Sequence, residues 1–220
     1  MHVGLTLPKS YFYKITMLVL MVCTLSIGLG VYALSVVAQT KEPIELQQTT
    51  VPLLLNSGEV QTREAEVSIL LWFENGDIPH GTWTKRPTPD WIWTYNELQT
   101  GSGKAAATLS GHRMIDKNEE SNLYKWYTTM APELAKTGGL IYLDERVDQA
   151  MDISAYLSKT NALPAQWVLI GNMLSIAAYQ NNLLTSVSTG QDKINIQLLS
   201  RGNNTEGRTV LAIPALLKEF

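Results

Sequence analysis

Cysteine is nearly missing from these 220 residues, because the sole thiol is Cys23. One thiol cannot close a disulfide within the chain or build a thiolate metal site, so the fold has to stand on its own core. Histidine is almost as scarce. His2, His80 and His112 are the complete set, and no two have His-x-x-x-His or His-Glu-x-x-His spacing. Basic residues run short as well. Beyond residue 38 there are 15 Lys and Arg against 20 Asp and Glu, a net charge of −5. Such a segment is a poor general partner for nucleic acid or another polyanion, and Lys85-Arg86 is only a doublet. A phosphate loop is excluded by its neighbours. Gly103-Lys104 has Leu98 where the pattern needs glycine and Ala105 where it needs a hydroxyl.

What the chain does have is one long apolar run. From Ile15 to Ala38 there is no charge, and Lys9 and Lys14 stand just before it. The run is long enough to cross a bilayer, and the preceding lysines predict a cytoplasmic N-terminus with everything after Ala38 outside. Residues 1–38 are thus a signal-anchor that uses the lipid bilayer as its partner. Alternatively they form a signal peptide cleaved after Val36-Val37-Ala38, which would release a secreted domain. Leu20-Met21-Val22 precedes Cys23 without the small residue that lipidation needs, so Cys23 reads as an inert thiol. A cysteine-free exported domain suits a Gram-positive exterior.

Residues 39–62 read as a tether or first helix interrupted by Pro52, and 63–220 as one α+β domain. Glu66 to Glu74 alternates like a strand, with Val67, Ile69, Leu71 and Phe73 on one face. His80 to Lys85, Trp91 to Glu97 and Lys104 to Arg113 continue as an antiparallel meander. Leu123, Trp126, Tyr127, Met130 and Leu134 then recur at helical spacing. Asp116 or Asn118 is the cap, and Pro132 is expected to kink or divide the helix. Leu140 to Leu143 reads as a short strand and Asp144 to Lys159 as a helix. Gln166 to Asn172 and Leu174 to Tyr179 read as extended, and Lys193 to Arg201 with Arg208 to Ile213 as a hairpin.

The C-terminal third carries a resemblance. Leu174-Ser175-Ile176-Ala177-Ala178-Tyr179 is followed by Lys193-Ile194-Asn195-Ile196-Gln197, Arg201, Thr209, Ile213-Pro214 and Glu219-Phe220. This series resembles the YwmB family of exported bacterial proteins. The resemblance implies a TATA-box-binding-like fold, a curved antiparallel sheet with helices packed on one face, and no assigned activity.

Candidate chemistry is sparse. Asp77, His80 and His112 offer metal ligands without a metal-site spacing. Ser110-Gly111-His112 and Ser175 are nucleophile fragments without a Gly-x-Ser-x-Gly elbow. No catalytic residue, metal or cofactor is assigned. Trp91, Trp93 and Tyr95 alternate on one face of an expected strand. There they either stack on the sugar rings of wall glycan or pack against the helices. Asn195 and Gln197 either read an extended ligand or bond to neighbouring strands and loops. Tyr179 and Arg201 read as a structural cluster. The leading functional expectation is a non-enzymatic module that binds an envelope protein or wall glycan and no nucleic acid. The alternative is a wall-active hydrolase with two carboxyl groups in a cleft.

The topology is testable. Protease added to intact cells is expected to digest the chain beyond residue 38. Full protection of that part would refute the orientation.

Overall fold

The structure is a computed structural model that describes residues 53–99, 105–202 and 206–217. The apolar run Ile15 to Ala38, and with it the expected membrane span, lies outside the described residues. Among those described, no helix is long and apolar enough to cross a membrane.

Eight strands form one wholly antiparallel sheet. In chain order they are β1 (Glu64–Phe73), β2 (Thr94–Gln99), β3 (Ala105–Asp116), β4 (Gly139–Val147), β5 (Leu163–Ile170), β6 (Met173–Tyr179), β9 (Ile196–Arg201) and β10 (Arg208–Ile213). Across the sheet they run β2-β3-β1-β4-β10-β9-β6-β5. A small separate hairpin pairs β7 (Val187–Thr189) with β8 (Asp192–Ile194). Among the described residues, three α-helices accompany the sheet: α1 (Leu54–Ser57), α2 (Lys117–Lys136) and α3 (Ile153–Thr160). The expected α+β class with a large antiparallel sheet is therefore what the chain adopts.

Alternation decides which face is dry. In β1, Ala65, Val67, Ile69, Leu71 and Phe73 are buried, and the residues between them are not. The buried residues join Leu123, Tyr127, Met130 and Leu134 of α2 and Ile153, Tyr156 and Leu157 of α3 in one core. Asp116 caps α2 by accepting from the N–H groups of Asn118 and Glu119, and Glu119 completes a capping box. Pro132 does not divide α2, which runs unbroken from Lys117 to Lys136.

Three local expectations change. His80 to Lys85 is no strand; His80–Thr82 is a single 3-10 turn. Trp91 and Trp93 precede β2 rather than lie in it. Asp144 to Val147 belongs to β4, and the following helix is only Ile153–Thr160. The cause of the last error is one residue. Glu145 occupies an inward position of the strand and is wholly buried, so a charged letter concealed the alternation Ile141, Leu143, Glu145, Val147.

Ile196 sits fully buried on the same inward face, opposite Ala178 of β6. Ile196→Ala is expected to cost about 2–4 kcal/mol through lost burial and a cavity. Thermal denaturation checks this, and an unchanged Tm would contradict the packing.

Candidate functional site

Among the described residues, the sheet face turned away from α2 and α3 holds the accessible polar and aromatic groups. Register places Thr94, Ser110, Leu70 and Tyr142 side by side across four strands. The next row is Asn96, Thr108, Trp72 and Leu140, and on the other side Ser68 lies between His112 and Asp144. Facing residues of neighbouring strands share a face, so these rows form one surface.

Two adjoining hollows indent it, and both are lined by Leu70, Tyr142 and Leu217. One of about 280 Å³ is mixed, with Ser68, Thr94, Ser110, His112 and Asp144 beside Ile92 and Leu143. The other, about 600 Å³, adds Trp72, Asn96, Glu97, Leu98 and Thr108. Together they form a groove with two half-buried aromatic rings and amide, hydroxyl and carboxyl groups around them. Leu217 reaches the groove because the chain returns over the sheet after β10, where the Leu216 N–H donates to Gln197 Oε1 at 3.0 Å.

Two ion pairs lie on this face. His112 Nε2 lies 2.8 Å from Glu66 Oε1, and Arg146 Nε lies 2.9 Å from Asp144 Oδ2. Burial raises the Tyr142 hydroxyl above its ordinary pKa, so it stays a neutral donor at physiological pH. Glu66 is the hydrogen-bond partner of His112, and no serine hydroxyl is bonded to that ring among the described residues. Nor do three or more His, Cys, Asp or Glu converge as a metal site among them. Asp77 lies in the turn after β1 and His80 in the 3-10 turn, whereas His112 is on β3.

The expected ligand residues are scattered. Trp91 is 2% exposed and cannot stack on a sugar, so the platform reading gives way to core packing. Its ring and that of Trp93 lie over Gly111, where an added Cβ would come within 2.9 Å of both. Trp93 continues to Trp126 of α2 with ring centroids 6.2 Å apart. Arg113 holds the loop that carries these rings, bonding Thr88 and Asp90 on the loop and Glu119 on α2. Tyr95 remains accessible beside Trp83, their centroids 5.8 Å apart. Asn195 is wholly buried and reads no ligand. Its amide accepts from Gln180 N–H and donates to Gln180 O, both at 2.7 Å, which locks the 180–183 loop. Gln197 does lie on the open face, but its amide holds the returning chain.

Sequence reasoning passed over Trp72, Leu70 and Tyr142. The signal was present, because Leu70 and Trp72 are apolar letters on the outward side of a clearly alternating strand.

Among the described residues, two carboxyl groups meet in the interior on the opposite side, in the core. Glu120 Oε1 accepts from Leu55 N–H at 2.6 Å, and its Oε2 accepts from Asn56 N–H at 2.9 Å and from the Asn56 side-chain amide. Glu145 Oε2 accepts from Leu54 N–H at 2.6 Å. The two carboxyls thus meet at the same short segment, and Glu145 Oε1 is buried there without a hydrogen-bond partner. Desolvation first, then the charge of Glu120, pushes Glu145 well above the ordinary carboxyl range. Glu145 is therefore the member that burial keeps protonated, and three donors converge on the Glu120 carboxyl oxygens. These groups cap a helix rather than face a cleft. No known family model matches the chain, and no curated protein matches it.

The pair generates a pH prediction. Folded Glu145 holds a proton that the unfolded chain releases near pH 4–5, about the ordinary value. Its contribution is thus complete below that value and is lost as pH rises toward the folded pKa. Tyr156 also faces the pair, and burial raises its hydroxyl well above the ordinary value, so it stays neutral in this range. Glu145→Gln keeps one acceptor and one donor in place, so it is expected to fold and to flatten the fall in stability above pH 5. Glu120→Gln loses the carboxylate and is expected to cost about 1–3 kcal/mol. Urea titrations from pH 4 to 8 check both. Equal effects of the two changes would contradict the assignment.

Proposed function

We propose that this chain is an exported, membrane-anchored domain with a non-enzymatic binding role at the cell envelope. The open sheet face takes the ligand, a wall glycan or an envelope protein. The observation that carries this reading is the groove of Trp72, Tyr142, Leu70 and Leu217, rimmed by Asn96, Glu97 and hydroxyl groups. Aromatic faces with a few convergent polar groups suit a sugar or an extended peptide, since the rings supply contact area and the amides fix orientation. The run Ile15 to Ala38 after Lys9 and Lys14 supports export and anchoring, with cleavage near Ala38 as the secreted variant. The resemblance to the YwmB family, with its TATA-box-binding-like curved sheet, points to the same compartment. The acidic balance beyond residue 38 speaks against nucleic acid as the ligand.

The test uses the detergent-solubilised full chain sedimented with isolated cell envelope. Trp72→Ala with Tyr142→Ala is expected to lower retention at least tenfold while circular dichroism is unchanged, because both rings are only half-buried. Unchanged retention would remove the groove from the binding surface. Turnover of wall glycan by the wild-type chain would instead favour a hydrolase.

A further inference from the structure

The sheet ends on β5, and this edge is unusual. Its eight residues carry no charge and a single side-chain amide, Gln166. Leu163, Trp167, Val168, Leu169 and Ile170 are 65%, 73%, 48%, 61% and 59% exposed. Free edges are normally short, charged, bulged or covered, because a flat apolar edge templates pairing. The irregularity of β5 lies between Pro164 and Gln166, so residues 166–170 stay regular. Large apolar side chains alternate on both faces of this stretch.

Backbone geometry shows which groups are open. Ile170 faces Met173 across the two-residue turn Gly171-Asn172. The pair flanking such a turn is hydrogen-bonded, so Ile170, Val168 and Gln166 direct their N–H and C=O groups toward β6. Leu169 and Trp167 direct theirs outward.

We propose that β5 pairs with β5 of a second copy, antiparallel about a two-fold axis at Val168, which joins two eight-stranded sheets into one. Opposed residues share a face, so a two-fold antiparallel pairing must set one residue against itself. With Val168 at the axis, Trp167 of each copy meets Leu169 of the other, and Gln166 meets Ile170. Trp167 and Leu169 are the residues with outward backbone groups, so those groups find partners in the same register. The strand itself carries no charge, and the nearby carboxylate of Asp192, to which Gln166 donates at 3.4 Å, lies beside a position two residues from the axis, so no like charges meet there.

A second feature fits the same partner. On the helix side, Ile153 and Leu157 of α3, with Met151, border a groove whose other wall is Trp167, Leu174 and Ile176. Its volume is about 550 Å³. The two-fold axis puts both α3 helices on one side of the joined sheet, so the two grooves meet along the seam. The five exposed side chains offer on the order of 400–500 Å² per copy. Paired backbone and the groove walls carry this toward the roughly 800 Å² per partner of a stable association.

The test is cysteine crosslinking of the full chain in isolated membranes, with any soluble pool assayed alongside. The background is Cys23→Ser, which removes the only native thiol. In the proposed register Val168 opposes itself in a non-hydrogen-bonded pair, with Cα atoms about 4.5 Å apart and within disulfide reach. Val168→Cys is expected to give an oxidised dimer at least tenfold faster than Leu184→Cys or Ile92→Cys, which are more exposed at 71% and 77%. Val168→Lys is expected to halve the mass of the purified chain in light scattering with its circular dichroism unchanged. Crosslinking at the control rate, or a monomeric wild-type mass, would overturn the proposal. So would a disulfide from Val168→Cys to a different protein. A monomer that binds zwitterionic lipid vesicles, and loses them on Val168→Lys, would assign the edge to the bilayer instead.

Discussion

The structure depends on two buried carboxyl groups that meet at one short segment. Glu120 comes from α2 and Glu145 from β4, and both turn toward the segment 53–57 rather than toward solvent. Either charge alone in that position would be costly to bury. Together they satisfy the first N–H groups of α1, which a helix this short cannot satisfy itself. At its other end the Lys159 ammonium donates to Ser57 O, and Gly58 turns the chain with φ +79°. Acid at the start and base at the end complement the helix dipole. The return is Leu53, Leu54 and Leu55, all essentially inaccessible, in the core between helices and sheet. The segment read from sequence as a tether or first helix thus supplies three core residues of the domain.

The same pair explains where the sequence was hardest to read. β1 and β3 were legible because their alternation is clean, and α2 because its apolar residues recur at three and four with a capping box ahead of them. β4 was not, because polarity stands in for burial only while buried positions are apolar. Asp144-Glu145-Arg146 looks like a helix start, although Asp144 and Arg146 pair on one face and Glu145 points into the other. The tryptophans failed for a related reason. Trp91 and Trp93 have strand spacing but belong to a loop that folds over Gly111, and residues far along the chain, Arg113 and Trp126, fix that loop. Asn195 and Gln197 show parity without depth: one is sealed behind Gln180, and the other lies at the open face.

Two surfaces of different character result. The groove mixes rings with amide and hydroxyl groups and sits mid-sheet, where four strands fix its geometry. The β5 edge is almost purely apolar and offers backbone as well as side chains. Directional polar groups select a ligand, whereas an apolar edge selects chiefly by register. A domain with both can hold a ligand on one surface while assembling through the other.

The strap at 53–57 also has a mechanical meaning. A pull transmitted from residue 52 reaches Leu53 before any strand of the sheet. The bonds at Leu54 and Leu55 are few and lie at one point, whereas β1 is laced along its length to β3 and β4. Tension from that end therefore strips α1 from its seat first, and β1 gives way later. The carboxyl pair acts as a weak link in series with a strong one, so the sheet is spared loads that the strap can release.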